Sequence, residues 1–286
     1  MSDQIVVGVD GSPAALSAVE WAAADAARID ATLKIVYALD RSPYEVTRSA
    51  LAMPDQLVLE GTRVVAAAAE RARERHPWIT VTTEVREGHP GKVLRDCAAD
   101  AAEVVVGSRG LGGFARALLG SVSIHVAGQA ACPVVVVRAG EREPRGEVVV
   151  GIDDGPDCEP AIAYAFEQAA RRGVRLRAVY AWRAPVHVYA PEVAYDMDEI
   201  RAAQHHMAKQ KLTPFQEKHP QVQVAEDVRC AHPVDALVDA AEGADLVVVG
   251  SHGRGAFGSM LLGSVGHGVL HHTSCPVAVV AADERR

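Results

Sequence analysis

The sequence predicts an α/β protein made of two tandem copies of one domain, each a doubly wound, five-stranded parallel sheet. Three observations support this fold class. The chain matches itself at an offset of 143 residues. Within each copy, short runs rich in valine and isoleucine alternate with helical stretches. The runs are apolar throughout, which is typical of parallel strands buried on both faces.

The internal repeat keeps the same offset along the whole chain. VVGVDGSP near the start matches VVGIDDGP, and VVVGSRGLGGFARALLGSVS matches VVVGSHGRGAFGSMLLGSVG, in each case 143 residues later. A chain of 286 residues is also long enough for two domains. We therefore predict one domain over residues 1–138 and a second over residues 147–286, joined by a charged linker at 139–146.

The first strand and first helix are indicated by residues near the start of each copy. The run Ile5–Val9 predicts the strand. Ser12 then provides a side-chain cap and Pro13 suits the first helical position. The apolar stripe of this helix is expected to contain Leu16, Val19, Ala23 and Ala26.

The remaining elements of the copy follow from prolines, glycines and valine runs. Pro54 predicts the start of a second helix that continues to Arg75. A third helix is expected at Pro90, with Val93, Leu94 and Cys97 facing inward, and a fourth from Gly120-Ser121 to a point before Pro133. Val104–Val106 and Val134–Val137 predict the fourth and fifth strands.

Composition limits the classes of partner and the compartment. Lys and Arg total 29 against 37 Asp and Glu, a net charge of −8, so we expect no nucleic-acid or anionic-membrane surface. No apolar run reaches the roughly 18 residues of a membrane span, and the start lacks a basic leader. Five cysteines without a CxxC pair suit a reducing cytoplasm. Cys132 and Cys275 are expected to be small buried residues.

A glycine motif follows the predicted fourth strand. Nine residues separate Gly110, the next glycine after Gly107, from Gly120-Ser121, and the same G-x2-G-x9-G-S spacing recurs from Gly250. Glycines let backbone amides approach an anion closely, and the first turn of a helix offers unpaired N–H groups and a positive dipole end. The pattern therefore predicts a phosphate site in each copy.

An aspartate ends the first strand of each copy, at Asp10 and Asp153. One hypothesis is that these carboxylates accept a hydrogen bond from a ribose hydroxyl or hold a metal on phosphates. The other is a local Asx turn at the start of the first helix. The sequence favours neither, and the two roles are compatible.

Several known motifs are missing. There is no GxxxxGK motif followed by Ser or Thr, no full GxGxxG in the first strand–helix turn, and no GxSxG. His267 and His271-His272 share a helical face that could bind a metal, but no acidic or cysteine partner is evident in the sequence. We therefore predict no catalytic residue and no metal site formed by the protein alone.

The glycine motif, the aspartate at the end of the first strand and a closing Cys-Pro-Val strand resemble the universal stress protein family, in the tandem form common in actinobacteria. The resemblance covers nearly the whole chain. It implies an adenine nucleotide alpha hydrolase-like, Rossmann-like sheet of order 3-2-1-4-5. It also implies ATP, with Mg²⁺, at the ends of strands 1 and 4 of each copy.

The resemblance implies two matching sets of site residues. Asp10 would meet the ribose or metal, the backbone of Ala38 would meet adenine, and the glycine motif would hold the phosphates. The first set is Gly8, Asp10, Ala38, Gly107, Ser108, Arg109, Gly110, Leu111, Gly112, Gly113, Gly120, Ser121, Val122 and Ser123. The second set is Gly151, Asp153, Ala181, Gly250, Ser251, His252, Gly253, Arg254, Gly255, Ala256, Gly263, Ser264 and Val265.

The second copy departs from the first at three positions near the expected phosphates. Asp154-Gly155 replaces Gly11-Ser12, which adds a negative charge and removes a capping hydroxyl. Gly266 replaces Ser123, which removes a possible donor. The second site is therefore expected to bind ATP more weakly.

The resemblance implies an ATP-binding regulatory protein of the stress response rather than an enzyme. A slow ATPase or phosphotransferase using the same pocket, or a cyclic AMP binder, are the alternatives. Efficient turnover is not expected, because no general base is evident in the glycine-rich loop. The short, apolar last strands predict edge-to-edge pairing of the two copies, and whole chains are expected to form homodimers.

Overall fold

The computed structural model describes residues 4–41, 53–111, 119–140, 143–184, 196–251 and 262–282. The chain divides into two compact units. The first contains Met1–Glu143 together with Met260–Leu262 and Pro276–Ala281. The second contains Pro144–Ser259, Gly263–Cys275 and Ala282–Arg286.

The first unit alternates strands and helices in the predicted order. Its elements are β1 (Gln4–Val9), α1 (Pro13–Ile29), β2 (Thr32–Leu39), α2 (Met53–Arg75), β3 (Val81–Glu87), α3 (Pro90–Ala98), β4 (Glu103–Gly107), α4 (Ser121–Gln129) and β5 (Val134–Val137). The strands lie in the order β3-β2-β1-β4-β5, and neighbours among them are parallel. This confirms the predicted 3-2-1-4-5 sheet.

The second unit repeats this arrangement. Its elements are β6 (Glu147–Ile152), a 3₁₀ turn (Pro156–Cys158), α5 (Glu159–Arg172), β7 (Arg175–Trp182), α6 (Met197–Lys218), β8 (Val224–Cys230), α7 (Pro233–Ala241), β9 (Leu246–Gly250) and α8 (Ser264–His272). The strand order β8-β7-β6-β9 is the 3-2-1-4 order of the first unit, again with parallel neighbours. The last strand, β10 (Val277–Val280), is grouped with the first unit, where it pairs antiparallel with β5.

Alanines and valines form the contact between α1 and the sheet. Val7 and Val105 are fully buried partners in adjacent strands, and the buried face of α1 includes Ala18, Val19 and Ala22. Small side chains let the helix approach the strands closely. The prediction that Leu16 belongs to this face is wrong. It is 41% exposed, because it lies at the edge of the stripe.

Leu16 instead borders an open groove of about 470 Å³ in the first unit, whose lining includes Glu20, Glu70, Arg71 and Glu74. Arg71 forms ion pairs with Glu20 and Glu74 within this groove. These residues belong to α1 and α2 and lie apart from the predicted phosphate site. We assign no ligand to the groove.

The sheet order creates a crevice at one edge of each unit. From β1 the chain passes to β2 on one side and later to β4 on the other, so strand order reverses between β1 and β4. Such a reversal leaves a crevice at the carboxyl ends of the two strands, which is where α/β sheets bind ligands. β6 and β9 stand in the same relation in the second unit.

Within the described ranges, none of the helices has the length and apolar character that crossing a bilayer requires.

Candidate functional site

Asp10 joins the end of β1 to the loop that follows β4. Its Oδ1 accepts a hydrogen bond from the Ser12 N–H at 2.9 Å, which is the Asx turn considered from the sequence. Its Oδ2 accepts from the Leu111 N–H at 2.8 Å. One carboxylate therefore holds two chain segments that are 101 residues apart.

Ser12 strengthens the same junction. Its hydroxyl accepts a hydrogen bond from the Ala15 N–H, and so caps α1 as predicted. The hydroxyl also donates to the Arg109 carbonyl at 3.2 Å. The start of α1 is thus tied to the loop after β4 by a second hydrogen bond.

The first two glycines of the motif have a packing role. A Cβ on Gly107 would lie 2.7 Å from the Ala14 carbonyl carbon and 2.8 Å from the Ala15 nitrogen, both backbone atoms. A Cβ on Gly110 would overlap Oδ2 of Asp10. Gly107 is therefore required by the close approach of α1 to the end of β4, whether or not a ligand binds, whereas a side chain at Gly110 would force the Asp10 carboxylate to shift.

The last part of the motif forms the N-terminus of α4. Gly120 is the N-cap residue, and its N–H donates to the Ser108 carbonyl at 2.8 Å. The hydroxyl of buried Ser123 donates to the Gly107 carbonyl at 2.8 Å. The Ser123 hydroxyl could donate to a phosphate only by giving up this hydrogen bond within the protein. Ser121, by contrast, is exposed at the first helical position.

Among the residues that the structure describes, no side chain caps α4. A helix leaves its first N–H groups without intrahelical partners, and a Ser, Thr, Asp or Asn at the N-cap usually satisfies one of them. The helix start therefore offers amides and a positive dipole end to an acceptor from outside, which fits a phosphate.

The other predicted residues of the first site surround the same crevice. Val9 pairs with Tyr37, so Ala38 lies one position further along β2, at the carboxyl edge of the sheet. Gly8 leaves space for the Leu94 side chain, since a Cβ added at position 8 would lie 2.7 Å from Leu94 Cδ1. Arg109 is exposed on the loop. Gly112 and Gly113 lie outside the described residues, whereas Val122 follows Ser121 in the first turn of α4.

The second unit repeats the helix start. The Gly263 N–H donates to the Ser251 carbonyl at 2.7 Å, and Gly263 is the N-cap of α8 with no side-chain cap. Ser264 and Val265 begin that helix, and Gly250 ends β9. His252, Gly253, Arg254, Gly255 and Ala256 lie outside the described residues.

The predicted residues on β6 and β7 of the second unit, and Asp153 directly after β6, also lie where their counterparts lie in the first unit. Asp153 Oδ1 accepts from the Gly155 N–H at 2.9 Å, which is the counterpart of the turn at Asp10. Ile152 pairs with Tyr180, so Ala181 lies one position beyond it at the carboxyl edge. Gly151 packs against Leu237, whose Cδ1 would lie 3.0 Å from a Cβ.

The turn after β6 differs from the turn after β1. Gly11 has a φ of +85°, a conformation that a side chain disfavours, and its counterpart Asp154 does not have a positive φ. The chain instead forms a 3₁₀ turn, and α5 begins only at Glu159. The Tyr180 hydroxyl donates to Asp154, and the Lys211 ammonium donates to the Gly155 carbonyl at 2.7 Å.

Sequence reasoning missed Tyr180 and Lys211 as part of this site. The residue that matches Tyr180 in the first copy is also a tyrosine, Tyr37, so comparing the copies gives no signal there. The residue that matches Lys211 is Ala68, so the lysine is a difference that the sequence does show. Burial, followed by the charge of Asp153, raises the pKa of Tyr180 above its ordinary value. The hydroxyl therefore keeps its proton and remains a donor at neutral pH.

The buried cysteines show no sign of a nucleophilic role. Burial is the main cause that raises the pKa of Cys132 to about 12, and it also raises the pKa of Cys158. A thiol of raised pKa stays protonated at neutral pH and reacts poorly. The expectation that Cys132 and Cys275 are buried is confirmed.

Substituting Gly107 tests the packing at this junction. We expect Gly107→Ala to lower the free energy of unfolding by about 1–3 kcal/mol, because its Cβ meets backbone atoms that cannot rotate away. Gly120→Ala is the matched control, since its Cβ would have no neighbour closer than 3.5 Å and the change should cost less than about 1 kcal/mol. Urea denaturation of the full chain measures both. Equal midpoints and slopes for the two variants would contradict the packing role.

Comparisons with known proteins agree with this architecture. A model of the universal stress protein family matches residues 1–138 and again residues 145–281. A universal stress protein of Mycobacterium tuberculosis is 37% identical over 286 residues, covering 96% of each chain. One from Mycolicibacterium smegmatis is 36% identical over 287 residues, again covering 96% of each.

A solved structure extends the likeness to the fold. The crystal structure of a universal stress protein from Archaeoglobus fulgidus matches with a TM-score of 0.70 and 18% identity, covering 99% of this chain and 97% of that one. The repeated strand order, the two family matches and the mycobacterial relatives together lead to one conclusion: the chain belongs to the universal stress protein family and carries the family's domain twice.

Proposed function

We propose that the protein is an ATP-binding regulatory protein of the stress response, with one adenine nucleotide in each unit at the carboxyl ends of its first and fourth strands. The observation that carries this proposal is the pair of uncapped helix starts at Gly120 and Gly263. Family membership supports the proposed role.

Neither backbone geometry nor packing explains a glycine at position 120. Its φ of −83° and ψ of 150° lie in the extended region that any residue adopts. An added Cβ would make only ordinary contacts, the nearest at 3.5 Å. Ser12 and Asp196 cap their helices with side-chain oxygens, whereas α3 and α5, like α4, begin without a side-chain cap. A phosphate that supplies the missing acceptor, and needs the space of a side chain to approach, accounts for the glycine.

The rest of the crevice suits the remainder of an adenine nucleotide. Asp10 is half-buried at the end of β1, and each of its oxygens accepts one backbone amide. A carboxylate oxygen has further lone pairs, so Asp10 can also accept a ribose hydroxyl or contact Mg²⁺ carried on the phosphates. Exposed Arg109 adds a positive charge near the phosphates, and the backbone edge of Ala38 lies where adenine would be recognised.

Binding without rapid turnover agrees with the side chains found in the crevice. Phosphoryl transfer needs a positioned nucleophile and charge stabilisation, usually with metal ions. In the part of the chain that the structure describes, no three His, Cys, Asp or Glu side chains form a group that could hold a metal ion. We therefore propose a nucleotide-controlled regulator, and place slow ATP hydrolysis and cyclic AMP binding among the outcomes of the test.

Substituting the two N-cap glycines tests the proposed sites. We expect the wild-type chain to bind two ATP per chain, and Gly120→Val and Gly263→Val to bind one each, because each valine fills the space that a phosphate must enter. The double variant should bind none. Isothermal titration of nucleotide-free protein with ATP and Mg²⁺ measures the stoichiometry, and each single variant serves as the control for the other.

Other results of this experiment would change the proposal. Full occupancy in Gly120→Val, with its fold intact by circular dichroism, would remove the phosphate from α4. Cyclic AMP binding in place of ATP would replace the ligand but keep the site. Phosphate release at a rate typical of enzymes, on the order of 1 s⁻¹ or faster, would make the protein an ATPase.

The two sites are expected to differ in affinity. Asp154 brings a second carboxylate beside Asp153, so repulsion of the phosphates should make the second site about three- to tenfold weaker at low salt. The measurement compares the ATP dissociation constant of Gly120→Val, which keeps only the second site, with that of Gly263→Val. Adding Asp154→Gly with Gly155→Ser to the Gly120→Val chain should recover most of the difference. Equal affinities in the two single variants would contradict this account.

A further inference from the structure

Helix α8 carries a pair of histidines that the proposed nucleotide site does not use. His267 and His271 are four residues apart on the helix, and their ring centroids lie 4.4 Å apart with the planes inclined at 47°. His267 is exposed and His271 is half-exposed. The two imidazoles therefore lie side by side on a face of α8 that reaches solvent.

This arrangement has the chemistry of a metal site. Two histidines at positions i and i+4 of a helix present their rings to one ion, as in helices that bind zinc through an H-E-x-x-H motif. Imidazole nitrogen favours Zn²⁺, Ni²⁺ and Cu²⁺ over the hard ions Mg²⁺ and Ca²⁺. The helical backbone between the two residues fixes their spacing, so little ordering is needed on binding.

The pair belongs to the second copy alone. Ile124 and Gly128 occupy the matching positions in α4, so neither ligand exists in the first copy. The site is therefore a feature of one copy of the repeated domain rather than part of the shared nucleotide framework. It lies near that framework, because the His267 N–H donates to the carbonyl of Gly263, the N-cap of α8.

The ring geometry of the pair changes the prediction from the sequence that the protein alone forms no metal site: we propose that His267 and His271 form a binding site for a divalent transition-metal ion of the Zn²⁺ or Ni²⁺ class, with water completing the coordination. The structure groups no third His, Cys, Asp or Glu with them among the described residues. The two imidazoles therefore provide the protein ligands, and the coordination positions that remain are open to solvent. Bound metal links the second turn of α8 to the third and so stabilises the helix whose N-terminus is the proposed phosphate site.

The test uses the full chain without a histidine tag or nucleotide, titrated separately with Zn²⁺ and Ni²⁺ by calorimetry. His267→Gln and His271→Gln should each weaken the tightest binding event by at least about tenfold, since even the loss of an outer partner of a metal ligand costs this much. His206→Gln is the matched control, because His206 is exposed on α6 and its histidine neighbour, His205, is adjacent in sequence rather than one turn away. This control should bind as the wild type does.

Three outcomes overturn the proposal. These are unchanged binding in both α8 variants, an equal loss in His206→Gln, and no binding by the wild-type chain at micromolar metal. A second readout guards against a general effect on folding: Zn²⁺ should raise the unfolding temperature of the wild type and of His206→Gln but not of His267→Gln. ATP stoichiometry in His267→Gln should stay at the wild-type value, so failure of the metal site and failure of the nucleotide site are distinguishable.

Discussion

The proposed function depends on the unpaired amide groups at two helix N-termini. Helices α4 and α8 begin at glycines that provide no side-chain acceptor, at the edge of the sheet where strand order reverses. An uncapped helix start is costly unless water or a ligand supplies the acceptor. Here the helix start opens onto a crevice, so an anion from outside is the natural partner. The placement of the crevice follows from the sheet topology, and its preference for an anion follows from the helix.

The described ends of the loop between β4 and α4, at residues 108–111 and 119–120, are held by contacts within the chain. Asp10 accepts the amides of Ser12 and Leu111, and the Gly120 amide donates to Ser108 on the other side of the loop. Gly107 allows α1 to approach this loop at backbone contact distance. Because these contacts are within the protein, a nucleotide bound at the described ends of the loop would spend less of its binding energy on ordering them.

The two copies share this framework and differ around it. The hydrogen bond from the N-cap glycine to the serine after the fourth strand is present in both, at 2.8 Å and 2.7 Å. The turn after the first strand has changed, with Asp154 bound by Tyr180 and the Gly155 carbonyl bound by Lys211. The histidine pair on the solvent-facing side of α8 is present in the second copy alone. The two copies thus share the part that would hold phosphate and differ in the parts that would set affinity and bind further ligands.

Local signals made most of the fold predictable from the sequence. Ser12 with Pro13 marked the start of α1, and valine runs marked the buried strands, because caps and apolar runs act within a few residues. The exposure of Leu16 was not predicted, since a position at the edge of an apolar stripe depends on what packs beside it. The contact of Lys211 with Gly155 spans 56 residues and has no motif, so only the folded chain reveals it.

The position of the nucleotide site stays a prediction, and the structure changes the roles of the glycines within it. The sequence analysis gave all the glycines of the motif to the phosphate. The structure assigns Gly107 and Gly110 to packing and leaves Gly120 as the glycine that packing does not explain. A crystal structure of the full chain grown with saturating ATP and Mg²⁺ tests this most directly. The account predicts phosphate oxygens about 3 Å from the amide nitrogens of the first turns of α4 and α8. Nucleotide bound elsewhere, or phosphates held only by side chains while these amides face water, would contradict it.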